Sequence, residues 1–297
     1  MTQKRAEILL AAVIAARATS ILFSKIAMNG MGIFNLLAAR FLMAFVLLAV
    51  VFFKRLRHIK RHTLVRGAIM GALFFLMLST ELTGLKSTPS STVSLLENTA
   101  IILVPMAEAV LRHKLPKAAT AVSALVAIGG VALLTGQSGG MVLAVMAAVL
   151  YAAAIITTDR FSHEDDPLTL GIVQVGTLGL LALVSSFVFE APHLPQSGTQ
   201  WLMIAGLAVI CTGFGFTLQP VAQSHTTAQR AGLFCALSPA CATLLGAAVL
   251  REHISVMGMC GIALILLSLL VPQLWQLAEK KGITLLPRHA VPAVRRA

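Results

Sequence analysis

The sequence predicts an all-α membrane protein: ten transmembrane helices arranged as two inverted five-helix repeats, with both termini in the cytoplasm. Three observations carry that expectation. Of 297 residues, 58% are hydrophobic and only 11% charged, with a mean hydropathy of +0.89; soluble domains carry about 25% charged residues. The apolar residues fall in runs of roughly twenty, long enough at about 1.5 Å per residue to cross a hydrocarbon core of about 30 Å. The basic residues divide unevenly between the loops that those runs leave on either side.

In chain order the ten runs lie near 7–28, 33–53, 65–85, 90–111, 118–135, 140–158, 168–189, 200–223, 230–250 and 255–275. The segments NGMG, KRLRHIKRH, KSTPSS, RHKLPK, GQSGG, SHEDDP and APHLPQSG punctuate them with turn-forming or charged residues. With the amino terminus inside, 18 of the 23 Lys and Arg fall on the inner face and only Lys86 and Arg251 on the outer, while Arg17, Lys25 and Arg40 lie within spans. That asymmetry orients the chain. It also explains a net charge of +12 without nucleic acid, because the basic groups sit where anionic headgroups are expected. The expected setting is a bacterial inner membrane, crossed many times. Lys4, Arg5, ILLAAVIAA and Ala16-Arg17-Ala18 imitate a cleavable leader, but the apolar run continues past the candidate cut. Cys211, Cys235, Cys241 and Cys260 show no CxxC spacing and read as small buried hydrophobes.

A displacement of 139 residues lays AVLR at 109–112 on AVLR at 248–251, and one of 134 lays the first span on the sixth, with Arg17 on Tyr151 and Ser20 on Ala154. Each half then holds five spans, and an odd number inverts the second half. The expected divisions are 1–136, 137–276 and a basic cytoplasmic tail at 277–297. Inverted repeats are an architecture of alternating-access transporters, with the cargo site near the midplane between halves.

Three segments add a family resemblance: NLLAARFLMAFVLL with Arg40 early in the second span, GLKSTPSST between the third and fourth, and SPACATLLGAAVLREHIS, where Pro239 precedes Glu252 by thirteen residues. In order and spacing they resemble the drug/metabolite transporter superfamily, specifically its ten-helix EamA-type exporters, over roughly residues 7–275. The resemblance implies that fold and the export of small metabolites by rocking of the two halves. SLLENT, around Glu97, is similar to the fourth helix of amino-acid exporters in the same superfamily. Two departures stand out: Ala100 occupies the place of Pro239 in the first half, and Arg17 stands where the family often has an aromatic residue.

A charge at the bilayer centre costs about 2.5–3.5 kcal/mol on insertion scales, so charges within spans need compensation. The first half supplies Arg17, Lys25, Arg40, Glu81 and Glu97, with Glu108 near an inner end; the second offers Tyr151, Gln174, Thr212, Gln219, Gln223 and Ser238. Counting from helix ends sets Arg40 level with Glu97, and Lys25 level with Glu81. An arginine suits a carboxylate and a glutamate an ammonium, so the set suits a zwitterion such as an amino acid. The candidate substrate-binding residues are Arg17, Ser20, Arg40, Glu81, Glu97, Asn98, Tyr151, Gln219 and Ser238, with Glu97 and then Glu81 as candidates for proton coupling. A structural salt-bridge network is the competing reading for Arg17, Arg40 and Glu97. GAIMG at 67–71 is expected to form a close helix contact, and Pro105, Pro220 and Pro239 to bend or hinge their helices.

The sequence lacks GxxxxGK[ST] and HExxH, and the acidic loop HEDDP at 163–167 has no second copy, so no nucleotide, metal or other cofactor is expected. No nucleophile is matched with a base, which argues against an enzyme. The expected partners are a small-molecule substrate and the lipid bilayer, not nucleic acid, for a monomer or a homodimer. Alternatives are a transporter of organic cations or drugs on the same fold and, from another class, an intramembrane enzyme or a non-transporting receptor. The single tyrosine and two tryptophans disfavour an aromatic cage for quaternary ammonium.

Overall fold

The computed structural model describes residues 3–88, 93, 96, 97, 99–111, 118–135, 141–225 and 256–280. Among these, every regular element is helical: α1 (Gln3–Ala27), α2 (Ile33–Val51), α3 (Phe53–Leu56), α4 (Arg61–Leu85), α5 (Ala100–Leu111), α6 (Ala118–Thr135), α7 (Met141–Glu164), α8 (Pro167–Phe189), α9 (Gly198–Gly206), a π-helical segment (Leu207–Phe216), α10 (Thr217–Gln223) and α11 (Val256–Lys280). Helix α9, the π segment and α10 run on without a break as one rod. Six stretches among the described residues are long and apolar enough to cross a membrane: Ile8–Ala27, Ile33–Val51, Arg61–Leu85, Val142–Glu164, Pro167–Phe189 and Gly198–Ala222. The ninth expected span and the tail beyond residue 280 lie outside the described residues.

Local chemistry sets the boundaries. The turn between α1 and α2 contains Gly30 at φ 84°, a backbone region that glycine enters without the steric cost of a Cβ. Asp166 caps α8, its side chain accepting from the Thr169 amide at 3.2 Å and from the Thr169 hydroxyl, with Pro167 in the first turn. Ser197 and Gln200 form a reciprocal capping box at the start of α9.

Helix α8 packs along both α2 and α4, α7 along α4, α1 along the π segment, and α6 along α11. Glycines allow the closest of these approaches. A Cβ at Gly67 would lie 2.7 Å from Val173 Cβ, and one at Gly71 would lie 2.7 Å from the Gln174 carbonyl oxygen. The close contact expected of GAIMG is thus made, against α8. On the other side of α8, a Cβ at Gly179 would come within 3.0 Å of the Leu42 amide nitrogen in α2.

Polar clasps fasten both ends of α8. At one end the Glu190 carboxylate accepts from the amides of Phe34 (3.2 Å) and Asn35 (3.0 Å) at the start of α2, and from Asn35 Nδ2 at 3.0 Å. An acid is favourable there, where helix amides stand unpaired. At the other end Asp165 accepts from Arg66 Nη1 at 2.7 Å and Thr63 Oγ1 at 2.9 Å, with His62 Nδ1 at 2.9 Å, while Arg66 Nη2 reaches Glu164 at 2.5 Å. Arg55 adds a longer contact to Asp166 at 3.4 Å.

The Asp165 side chain retains only 4% of its exposure. Burial pushes its carboxyl up, but hydrogen bonds from Arg66, Thr63 and His62 outweigh burial and hold it below the usual carboxylate range. A group with a depressed folded pKa stabilises above its unfolded pKa, and that contribution disappears as pH falls through the folded value. Asp165→Ala is therefore expected to cost about 2 kcal/mol at neutral pH, less than breaking a fully buried ion pair because Arg66 is partly solvated. Thermal unfolding of the purified variant should show the deficit at neutral pH and a shrinking difference from wild type in acid.

Candidate functional site

Arg17, midway along α1, faces residues from three other segments. Its Nη1 donates to Tyr151 Oη in α7 and to Gln219 Oε1 in α10, each at 2.8 Å, and its Nη2 donates to Glu97 Oε1 at 3.4 Å. The guanidinium carbon stands 4.6 Å from the Phe216 ring centroid and 5.0 Å from that of Tyr151, distances at which cation and ring attract. A Cβ at residue 215 would come within 3.1 Å of Arg17 Cγ, so Gly215 leaves room for the arginine stem. Tyr151 is the residue that the 134-residue displacement lays on Arg17; these counterparts of the two sequence halves meet directly.

Arg40 is enclosed more completely, at 1% exposure. Its Nε donates to Thr212 Oγ1 at 2.7 Å and its Nη1 to Ser20 Oγ at 2.8 Å, while Nη2 has no hydrogen-bond partner among the described residues. The guanidinium carbon lies 4.8 Å from the Phe41 centroid and 5.7 Å from that of Phe216. Phe216 thus lies near both arginines, and it is wedged edge-on against Phe41 and Phe74 at centroid separations of 5.5 and 5.3 Å. Arg40 is almost fully enclosed, whereas Arg17 and Glu97 keep 12% and 9% of their side-chain exposure.

The predicted residues Arg17, Tyr151, Gln219 and Glu97 are therefore brought together, and Ser20 and Arg40 form an adjoining pair. Glu81, in α4, is buried within electrostatic range of Glu97, Arg17 and Arg40. Asn98 and Ser238 lie outside the described residues. Neither of the two pairs set level by counting from helix ends forms an ion pair among the described residues. Arg40 bonds hydroxyls rather than Glu97, because α2 packs against the π segment and presents the guanidinium to Thr212. Lys25 forms no ion pair with Glu81 and has an interaction elsewhere. Thr212 counted only as a polar residue of the second half, and Phe216 was one of fourteen phenylalanines. Only its contacts with both arginines distinguish it. Among the described residues no group of three or more His, Cys, Asp or Glu could hold a metal ion.

Apolar spans packed around a buried group of charged and polar side chains define a multi-span helical membrane protein. The chain belongs to the EamA-like transporter family, whose model matches residues 4–136 and again residues 138–271. An uncharacterized transporter from Archaeoglobus fulgidus is 25% identical over 253 residues, covering 84% of this chain and 80% of its own. A crystal structure of another protein matches with a TM-score of 0.69 at 18% identity, covering 94% of this chain and 99% of that one, a likeness of fold. Membrane transport is accordingly the general function.

Proposed function

We propose that the protein is a secondary active exporter of small zwitterionic metabolites, amino acids among them, working by alternating access in a bacterial inner membrane. The observation that carries this reading is the setting of Arg17: a partly exposed guanidinium paired with a carboxylate and flanked by two neutral hydrogen-bonding side chains. A cargo carboxylate would replace Glu97 on the guanidinium, and the released Glu97 would take the cargo ammonium. Tyr151 and Gln219 orient the arginine; Arg40, bonded to Ser20, packs near Phe216; Glu81 adds negative potential, and Asn98 and Ser238 are further members. The outward direction follows the resemblance to exporters.

The proposed frame is ten spans in two inverted repeats, 1–136 and 137–276, both termini and the tail 277–297 being cytoplasmic. The packing supports it. Exchanging the halves turns the contact of α4 with α7 into that of the rod with α1, and the contact of α2 with the π segment into that of α8 with α4. The α2–α8 and α6–α11 contacts map onto themselves. The proposed partners are the substrate and the bilayer, for a monomer or homodimer.

A thermal-shift screen of the purified protein against amino acids, amines and organic acids should give its largest stabilisation with zwitterions, followed by liposome counterflow of the best hit. Glu97→Gln should cut counterflow at least tenfold. Unchanged exchange in that variant would remove Glu97 from the site, and stabilisation by hydrophobic amines alone would favour the organic-cation reading, for which the Phe41, Phe74, Phe216 and Tyr151 rings provide walls.

A further inference from the structure

Among the described residues, Arg17, Arg40, Glu81 and Glu97 are charged side chains in the interior of the bundle, and three of them have polar partners. Arg17 has Tyr151, Gln219 and Glu97; Glu97 has Arg17; Arg40 has Thr212 and Ser20. Glu81 is the exception. It is 4% exposed, yet it accepts no hydrogen bond and makes no ion pair among the described residues. The charged groups facing it are Glu97, Arg17 and Arg40. Helix α8, packed along α4, carries no Asp, Glu, Lys or Arg between Pro167 and Phe189, and α7 contributes Tyr151, already bonded to Arg17.

An ionised carboxylate with so little exposure and no protein donor is costly, whereas the neutral acid has far less to lose on leaving water. Glu97 adds a second negative charge nearby, and the hydrogen bonds of both arginines are directed elsewhere. From this juxtaposition we infer that Glu81 is a proton-binding site, exchanging a proton with water during the transport cycle while Glu97 remains the partner of Arg17 and of cargo.

The inference rests on the exporter reading and adds the coupling ion. When Glu81 is neutral, one oxygen carries the proton; when cargo arrives, its ammonium beside Glu97 enters the field of both carboxylates and favours the ionised form of Glu81. The O–H bond breaks and the proton leaves to water. Cargo and proton therefore displace each other, the requirement for antiport. The order of roles differs from the sequence expectation that ranked Glu97 first for coupling, because Glu97 is the carboxylate with an arginine on it.

Infrared difference titration of the purified full-length protein in lipid nanodiscs tests this without any cargo, so its outcome is separate from that of the exporter reading, which counterflow decides. Wild type should show a protonated-carboxyl C=O band that declines from mildly acidic to mildly alkaline buffer. That band should be lost in Glu81→Gln and persist in Glu97→Gln. Glu81→Asp, which keeps a carboxyl in place should the glutamine variant fail to fold, should retain the band at a shifted frequency. A titrating band lost in Glu97→Gln but unchanged in the Glu81 variants would overturn the assignment, as would the absence of any band that responds to residue 81.

Discussion

Replacing Arg17 by alanine should abolish counterflow of a zwitterionic amino acid. The guanidinium makes every described polar contact of the Glu97 side chain and also bridges Tyr151 to Gln219, so alanine removes the proposed carboxylate receptor and its alignment together. Truncating one member of a hydrogen-bonded buried charge pair costs about 2–5 kcal/mol, and each 1.4 kcal/mol is roughly tenfold in affinity. A loss of at least about thirtyfold is expected at the low end of that range. Arg17→Lys should fall between the two, because an ammonium retains the charge without the planar fork that serves several acceptors at once. Stranding Glu97 would also destabilise the alanine variant. Adding Glu97→Gln should restore much of the thermal stability and none of the transport, whereas recovery of transport in the double variant would make the pair structural.

Gly71→Leu should have the largest effect on stability. Its Cβ would fall 2.7 Å from both the Gln174 carbonyl oxygen and Thr177 Cβ, before any further leucine atom is placed. The backbone of α8 cannot yield by rotating a side chain, and the Asp165 contacts with Arg66 and Thr63 hold α4 to the nearby end of α8. Overpacking of this kind costs about 1–3 kcal/mol and more where the backbone itself is the obstacle. Gly129, whose Cβ position meets nothing within 4 Å among the described residues, supplies the internal control. Thermal unfolding in detergent should show a large fall in midpoint for Gly71→Leu and little change for Gly129→Leu; equal effects would contradict the packing argument.

Hydropathy located the described spans well because lipid selects for composition over a fixed length. Their ends were less legible. Helix α4 starts at Arg61 and α7 continues to Glu164, each beyond its apolar run, because charged residues can complete a helix outside the hydrocarbon and here bond one another. The π winding of Leu207–Phe216 leaves no mark on hydropathy, since an apolar run reads the same whatever its pitch. At the site, the pairing of Arg17 with Glu97 was legible from opposite charges at reachable depths. The hydroxyl partners of Arg40 were not: Ser20 and Thr212 are common residues on separate helices, and only tertiary packing selects them.

The fastening of α8 bears on how the interior would open in the proposed alternating-access cycle. Glu190 stitches α8 to the start of α2, and Arg55, just beyond α2, reaches the Asp166 cap at the opposite margin, with Gly179 lying against Leu42 between them. A seam sewn at both hems resists parting, although its two panels come from different sequence halves. Swivelling that leaves this seam intact would carry α2 and α8 as a common strut and direct the gap toward α1 and the rod it faces. The pieces that travel together would then cut across the duplication in the chain.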